Sequence, residues 1–119
     1  MAKPRRQQRV AETLKKEIGE LLQKGVADPH LDMVSVTSVE ISPDLRYARV
    51  FVSHLGDVSD KEVLQALKRA SKFLRRELGG RMTLRVMPEL AFEIDRSLEQ
   101  GSRIEALLAQ VEADQQEQA

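Results

Sequence analysis

Cysteine and tryptophan are absent from this 119-residue chain, and its aromatic residues are Tyr47, Phe51, Phe73 and Phe92 alone. Without cysteine there is no disulfide, no zinc knuckle and no thiol nucleophile, and the composition fits a reducing compartment. At least two of the aromatics are wanted by a core, which leaves too few for a stacked-base platform of the RRM kind. No apolar run approaches the roughly 20 residues that cross a bilayer. The opening MAKPRRQQRV is basic but lacks the apolar stretch of a secretory signal. It has the Arg-rich, acid-poor look of a mitochondrial transit peptide, yet it passes directly into an amphipathic helix, so the expected compartment is the cytoplasm.

Catalytic chemistry is also missing. Histidine occurs twice, as His30 and His54, and neither stands in a metal-ligand spacing or beside a nucleophile motif. No Gly-rich phosphate loop is present. Asp28, Asp32, Glu40 and Asp44 are scattered over loops and a strand, where solvation accounts for them. The residues therefore point to no enzyme, no metal and no cofactor.

Net charge is absent only as a sum. Nineteen basic and nineteen acidic residues cancel, but bases dominate from Met1 to Ala27 and again from Lys61 to Val86, whereas most acids fall elsewhere, especially from Glu89 to Ala119. Segregated charge makes the local field, rather than the total, decide the partner.

The chain's organising stretch runs from Ser59 to Arg85. At about 100° per residue, Val63, Ala66, Leu67, Ala70, Phe73, Leu74 and Leu78 share one arc, opposite Lys68, Arg69, Lys72, Arg75 and Arg76. Ser59 and Glu62 form a capping box at its start, and Gly79 is expected to end the helix in a left-handed conformation. Arg81 and Arg85 carry positive charge past that stop. Such a face can be an ordinary solvated surface, but few acids offset it, and guanidinium groups can hold phosphates by paired hydrogen bonds.

Before this stretch, Val10, Leu14, Ile18, Leu21 and Leu22 predict a first helix ending at Gly25. MVSVTSVEIS, residues 33–42, changes phase between Val34/Val36 and Thr37/Val39/Ile41, which predicts a bulged strand or one that starts late. Ser42-Pro43-Asp44 then turns the chain into a second strand with Ala48, Val50 and Val52 on one face. Arg46 and Arg49 place positive charge on this hairpin. After the central helix, Leu84, Val86, Leu90, Phe92 and Ile94 predict a third strand, at an edge or bulged at Pro88. Ser102 to Val111 predicts a short C-terminal helix, and residues 114–119 a disordered tail. The expected division is a flexible basic arm at 1–7, a domain at 8–98, and a helix with tail at 99–119. With 119 residues there is room for one core, and the element order gives an α+β layer with helices on one face of a small sheet.

DPHLDMVSVTSVEISPDLRYARVFVS, Asp28 to Ser53, and RASKFLRRELGGRMTLRVMPELAFEIDRSLEQG, Arg69 to Gly101, resemble bacterial ribosome-binding factor A, a family of small-subunit assembly factors, over about Arg5 to Ile104. The resemblance implies a type II KH-like domain of order α-β-β-α(kink)α-β, with helices on one face of a three-stranded sheet. The kink would fall at an interrupted Ala-x-Gly, whose counterpart here is Ala70-Ser71-Lys72. It implies as partners the immature small ribosomal subunit and its rRNA, a role in maturation and rRNA 5′-end processing, including at low temperature, and a monomer without cofactor or membrane contact. The expected RNA-binding residues are Lys68, Arg69, Lys72, Arg75, Arg76, Arg81 and Arg85, with Arg5, Arg6, Arg9 and Arg46 in support. The alternative is a protein-interaction module whose basic face meets an acidic protein.

Overall fold

The apolar stripe that begins at Val10 buries Val10, Leu14, Ile18, Leu21 and Leu22 on one side of a helix, α1, spanning Arg5–Lys24. In this computed structural model, which describes residues 5–97 and Val111, α1 stops where expected: the Gly25 N–H reaches Leu21 O at 2.7 Å. Its start differs. Residues 5–7, expected in a flexible arm, form the first turn of the helix, and the Gln7 side-chain amide donates to Ile41 O at the far end of the first strand. Residues 1–4, the C-terminal helix and the acidic tail lie outside the described residues, Val111 excepted.

A 3-10 turn, Pro29–Leu31, buries Leu31 and leads into β1, Val34–Ile41. β1 pairs antiparallel with β2, Tyr47–His54, and the register slips at Thr37: Val36 lies opposite Val52, and Ser38 opposite Phe51. The bulge is the phase change visible in the sequence, and it keeps both Val34 and Ile41 on the buried face. Thr37 is put to use, its hydroxyl donating to Asp95 Oδ2 and lying 3.2 Å from Phe51 O.

β2 runs parallel to β3, Glu89–Ile94, in a three-stranded sheet of order β1-β2-β3. A parallel pair needs a long crossover, and α2, Asp60–Arg81, supplies it. β3 is shorter than expected. Residues 84–88 form the connection instead, because Pro88 has no N–H for a ladder; it is buried just ahead of the strand, and Val86 is left exposed. β3 does lie at an edge of the sheet.

α2 is capped as the sequence predicts, the Ser59 hydroxyl accepting the Glu62 N–H at 3.1 Å. It is one uninterrupted helix through Ala70-Ser71-Lys72, with no division into two, and it does not stop at Gly79. Both glycines are helical, Arg81 is the last residue, and Met82 caps it with an N–H to Leu78 O. Glycine inside a helix costs about 1 kcal/mol relative to alanine. Burial of Leu78 and the hold of α1 on Arg81, described below, offset it. Val63, Ala66, Leu67, Ala70, Leu74 and Leu78 join the α1 stripe and Ala48, Val50 and Val52 of β2 in one core. The helices thus cover one face of the sheet. The other face carries Tyr47, Arg49 and Phe51, with Arg49 bonded to Glu93, 3.6 Å from Glu40 and stacked on Phe51.

Candidate nucleic-acid interface

Because one face of α2 is committed to the core, its cations must leave by the remaining arc. At about 100° per residue, Lys68, Lys72, Arg75 and Arg76 span roughly 100° of the helix surface opposite the buried residues. All four are exposed. Among the described residues none of them meets a carboxylate. Arg75 Nη2 donates to Met87 O at 3.3 Å, and the Arg76 guanidinium lies 5.7 Å from the centre of the Phe73 ring. These contacts orient the two guanidiniums without cancelling their charge. Beneath the arc, Leu64, Lys68 and Ser71 of α2 and Leu90, Ala91 and Phe92 of β3 line a groove of about 310 Å³.

Two of the expected contact residues are drawn off this surface. Arg69 turns to the 3-10 turn and meets Asp28 Oδ2 at 3.4 Å. Hydrogen bonds from the His30 side chain and N–H, helped by Arg69, hold the Asp28 carboxyl below its ordinary range. Arg81 falls on the side of α2 that faces α1, where its guanidinium lies 3.0 Å from Glu17 and 3.5 Å from Glu20. Both arginines act as ties between elements. A helical wheel shows the direction in which each leaves α2, but the acids that receive them come from distant stretches of chain.

The remaining expected residues gather at one end of the domain. Arg6 of α1, Arg46 of the β1–β2 turn and Arg85 of the α2–β3 connection line a common cleft of about 430 Å³. Arg9 shares a neighbouring recess with Arg6, Thr13 and Leu84, and Arg5 begins α1. Arg46 and Arg75 line a further recess with Met87, between the cleft and the outer arc.

Sequence reasoning missed the ties that brace this framework. Asp60, at the start of α2, bonds both His54 Nε2, at 2.6 Å, and Arg96. These bonds, the His54 one foremost, lower the Asp60 pKa. Asp95, just after β3, accepts from Ser97 and Thr37, and its carboxyl is lowered to about 2. Neither Asp60, in the first turn of the predicted helix, nor Asp95, just past the predicted third strand, stands in a sequence pattern that marks such a tie. Among the described residues no three metal-ligating side chains cluster, and no helix is long and apolar enough to cross a membrane.

The sheet order, the single crossover helix and its cationic arc define a KH-like α+β domain with a basic surface. A family model described as "Ribosome-binding factor A" matches residues 6–108. A ribosome-binding factor A of Synechococcus sp. (strain CC9902) is 47% identical over 120 residues, covering 98% of this chain and 90% of the relative. The crystal structure of ribosome-binding factor A from Thermus thermophilus superposes with a TM-score of 0.71 at 28% identity, covering 76% of this chain and 97% of that one. A homology model of the Thermus thermophilus factor, fitted into a cryo-EM map of a 30S–RbfA complex, superposes at 0.62 with 30% identity, covering 72% of this chain and 91% of that one. The chain belongs to the ribosome-binding factor A family.

Proposed function

We propose that this protein is a non-enzymatic, monomeric assembly factor of the cytoplasm that binds the small ribosomal subunit through its rRNA. It supports late maturation and rRNA 5′-end processing, including at low temperature. Family membership supports the class of function, and the fitted 30S–RbfA complex of a relative supports the choice of subunit. The observation that carries the RNA contact is the arc of Lys68, Lys72, Arg75 and Arg76, exposed and without carboxylate partners among the described residues. Cations in that state bind a polyanion by releasing its counterions, so affinity falls steeply with salt.

Co-sedimentation with purified small subunits, large subunits and joined ribosomes tests the proposal. Selective pelleting with free small subunits, weakening as salt is raised, is the expected result. Equal binding to all three particles, or binding insensitive to salt, contradicts it. Protein partners kept after ribonuclease treatment of a pull-down would instead favour an acidic protein on the basic face. Processing is tested separately, by the level of 5′-extended small-subunit rRNA in cells lacking the protein, grown warm and cold.

A further inference from the structure

The cleft at the end of the domain is built differently from the outer arc of α2. Three separate elements each contribute one arginine to it: Arg6, Arg46 and Arg85. Hydrogen bonds fix those elements to one another. The Glu89 N–H donates to Arg46 O at 2.8 Å, joining the first residue of β3, where the α2–β3 connection ends, to the β1–β2 turn. The Gln7 amide joins α1 to Ile41 O at the base of that turn.

The turn itself is tightly held. Ser42 Oγ donates to Asp44 Oδ1 and accepts the Tyr47 N–H, and the Arg46 N–H donates to the same Asp44 oxygen. Leu45 between them has a φ of 61°, a conformation that branched side chains seldom adopt. Its side chain packs against the core, which holds it there and sets the direction in which Arg46 leaves the turn.

Charge sets this cleft, like the outer arc, apart from the arginines that tie elements together. Arg49, Arg69, Arg81 and Arg96 each meet a carboxylate. Among the described residues, the side chains of Arg6, Arg46 and Arg85 form no ion pair, although Asp44 attracts the Arg46 guanidinium electrostatically. The cleft's one acid, Asp44, stays ionised, its pKa lowered by the Ser42 hydroxyl and the Arg46 N–H and further by the Arg46 guanidinium. Three positive charges thus face one engaged carboxylate, an arrangement suited to a ligand that is compact, doubly oxygenated and anionic.

We propose that this cleft is a second RNA contact, which grips a backbone phosphate with the guanidiniums of Arg6, Arg46 and Arg85. The strand would continue past Arg75 to the outer arc of α2, so the factor holds RNA at two places joined round an edge of the domain. The proposal rests on the reading of the chain as an rRNA-binding factor, but its test does not need the ribosome.

The full chain is titrated with inorganic phosphate and with a short uridine oligoribonucleotide while the arginine Nε–H signals are followed by NMR. Both ligands are expected to shift Arg6, Arg46 and Arg85 and to leave Arg69 and Arg81 in place. R85Q should weaken the oligonucleotide several-fold and lower its salt slope by about 1. K72Q should leave the phosphate response of the cleft unchanged. Equal movement of Arg69 and Arg81, or an R85Q protein with unaltered affinity and slope, overturns the proposal. So does a polyglutamate peptide that fills the cleft as tightly as the oligonucleotide, since the site would then suit an acidic protein. If phosphate and oligonucleotide occupy the cleft while the protein fails to pellet with small subunits, the cleft stands and the assembly reading falls.

Discussion

The outer arc of α2 and the flanks of the same helix carry the same kinds of side chain to opposite ends. On the arc, Lys68, Lys72, Arg75 and Arg76 meet no carboxylate among the described residues, which leaves their charge open to a partner. On the flanks, Arg69 and Arg81 give theirs to Asp28, Glu17 and Glu20. The difference lies in neighbours and not in residue type. A cation near α1 or the 3-10 turn finds a carboxylate there, and one facing solvent finds none among the described residues. Counting bases on a helix therefore overstates a binding surface by those the fold consumes.

The comparison is broken most directly by reversing charge on each side. Lys72→Glu, Arg75→Glu and Arg76→Glu together should reduce small-subunit binding by more than about a hundredfold, since charge-assisted hydrogen bonds contribute about 1.5 to 3 kcal/mol each. Circular dichroism should be unchanged, because these side chains lie outside the core. Arg81→Ala should do the reverse. Urea unfolding is expected to show a loss of up to about 1 kcal/mol, with binding altered less than about twofold. If Arg81→Ala weakens binding as strongly as the arc substitutions, the division between tie and contact is wrong.

A smaller effect sharpens the account of where α2 ends. Gly79→Ala should stabilise the protein by about 0.5 to 1 kcal/mol, because Gly79 is helical and a Cβ there meets nothing within 4 Å. Destabilisation in urea would show that the helix stops at Gly79 in a left-handed turn.

The smallest effect concerns Asp95, which joins the end of β3 to the bulge in β1. Its carboxyl is lowered to about 2 from an ordinary 3.8, by bonds from Ser97 first and then Thr37. A lowered carboxyl adds stability above its ordinary pKa and loses it as the pH falls through the folded value. Thr37→Val should therefore lower the melting temperature slightly near neutral pH, and the difference from the wild type should shrink as the pH falls towards about 2. A difference independent of pH would assign the loss to packing at the bulge.

Much of this architecture was legible in the residues. The α1 stripe, the bulge at Thr37, the buried alternation of Ala48, Val50 and Val52 and the Ser59 cap are all local patterns, and each forms as its spacing requires. Gly79 and Pro88 misled for a common reason: local preference was outweighed by packing. Leu78 and the Arg81 ties carry α2 past its glycines, and the buried Pro88 delays β3 to Glu89. The candidate site was legible as a set of cations and not as a geometry. Sequence placed Arg69 and Arg81 with Lys72, and it held no sign of the ion pairs to residues far along the chain that engage them in the fold. It set Arg85 beside the helix cations and kept Arg6 and Arg46 as supplements, and only folding shows the three lining one cleft.

If the outer arc of α2 meets RNA phosphates, binding must report the charge of its side chains. The most direct measurement is the salt dependence of small-subunit binding for the wild type and for a variant with Lys72, Arg75 and Arg76 all changed to Gln. Each phosphate contact contributes about 0.7 to 0.9 to the log-log slope, so the account predicts a slope shallower by about 2 to 3 in the variant. An identical slope in the two proteins would contradict it.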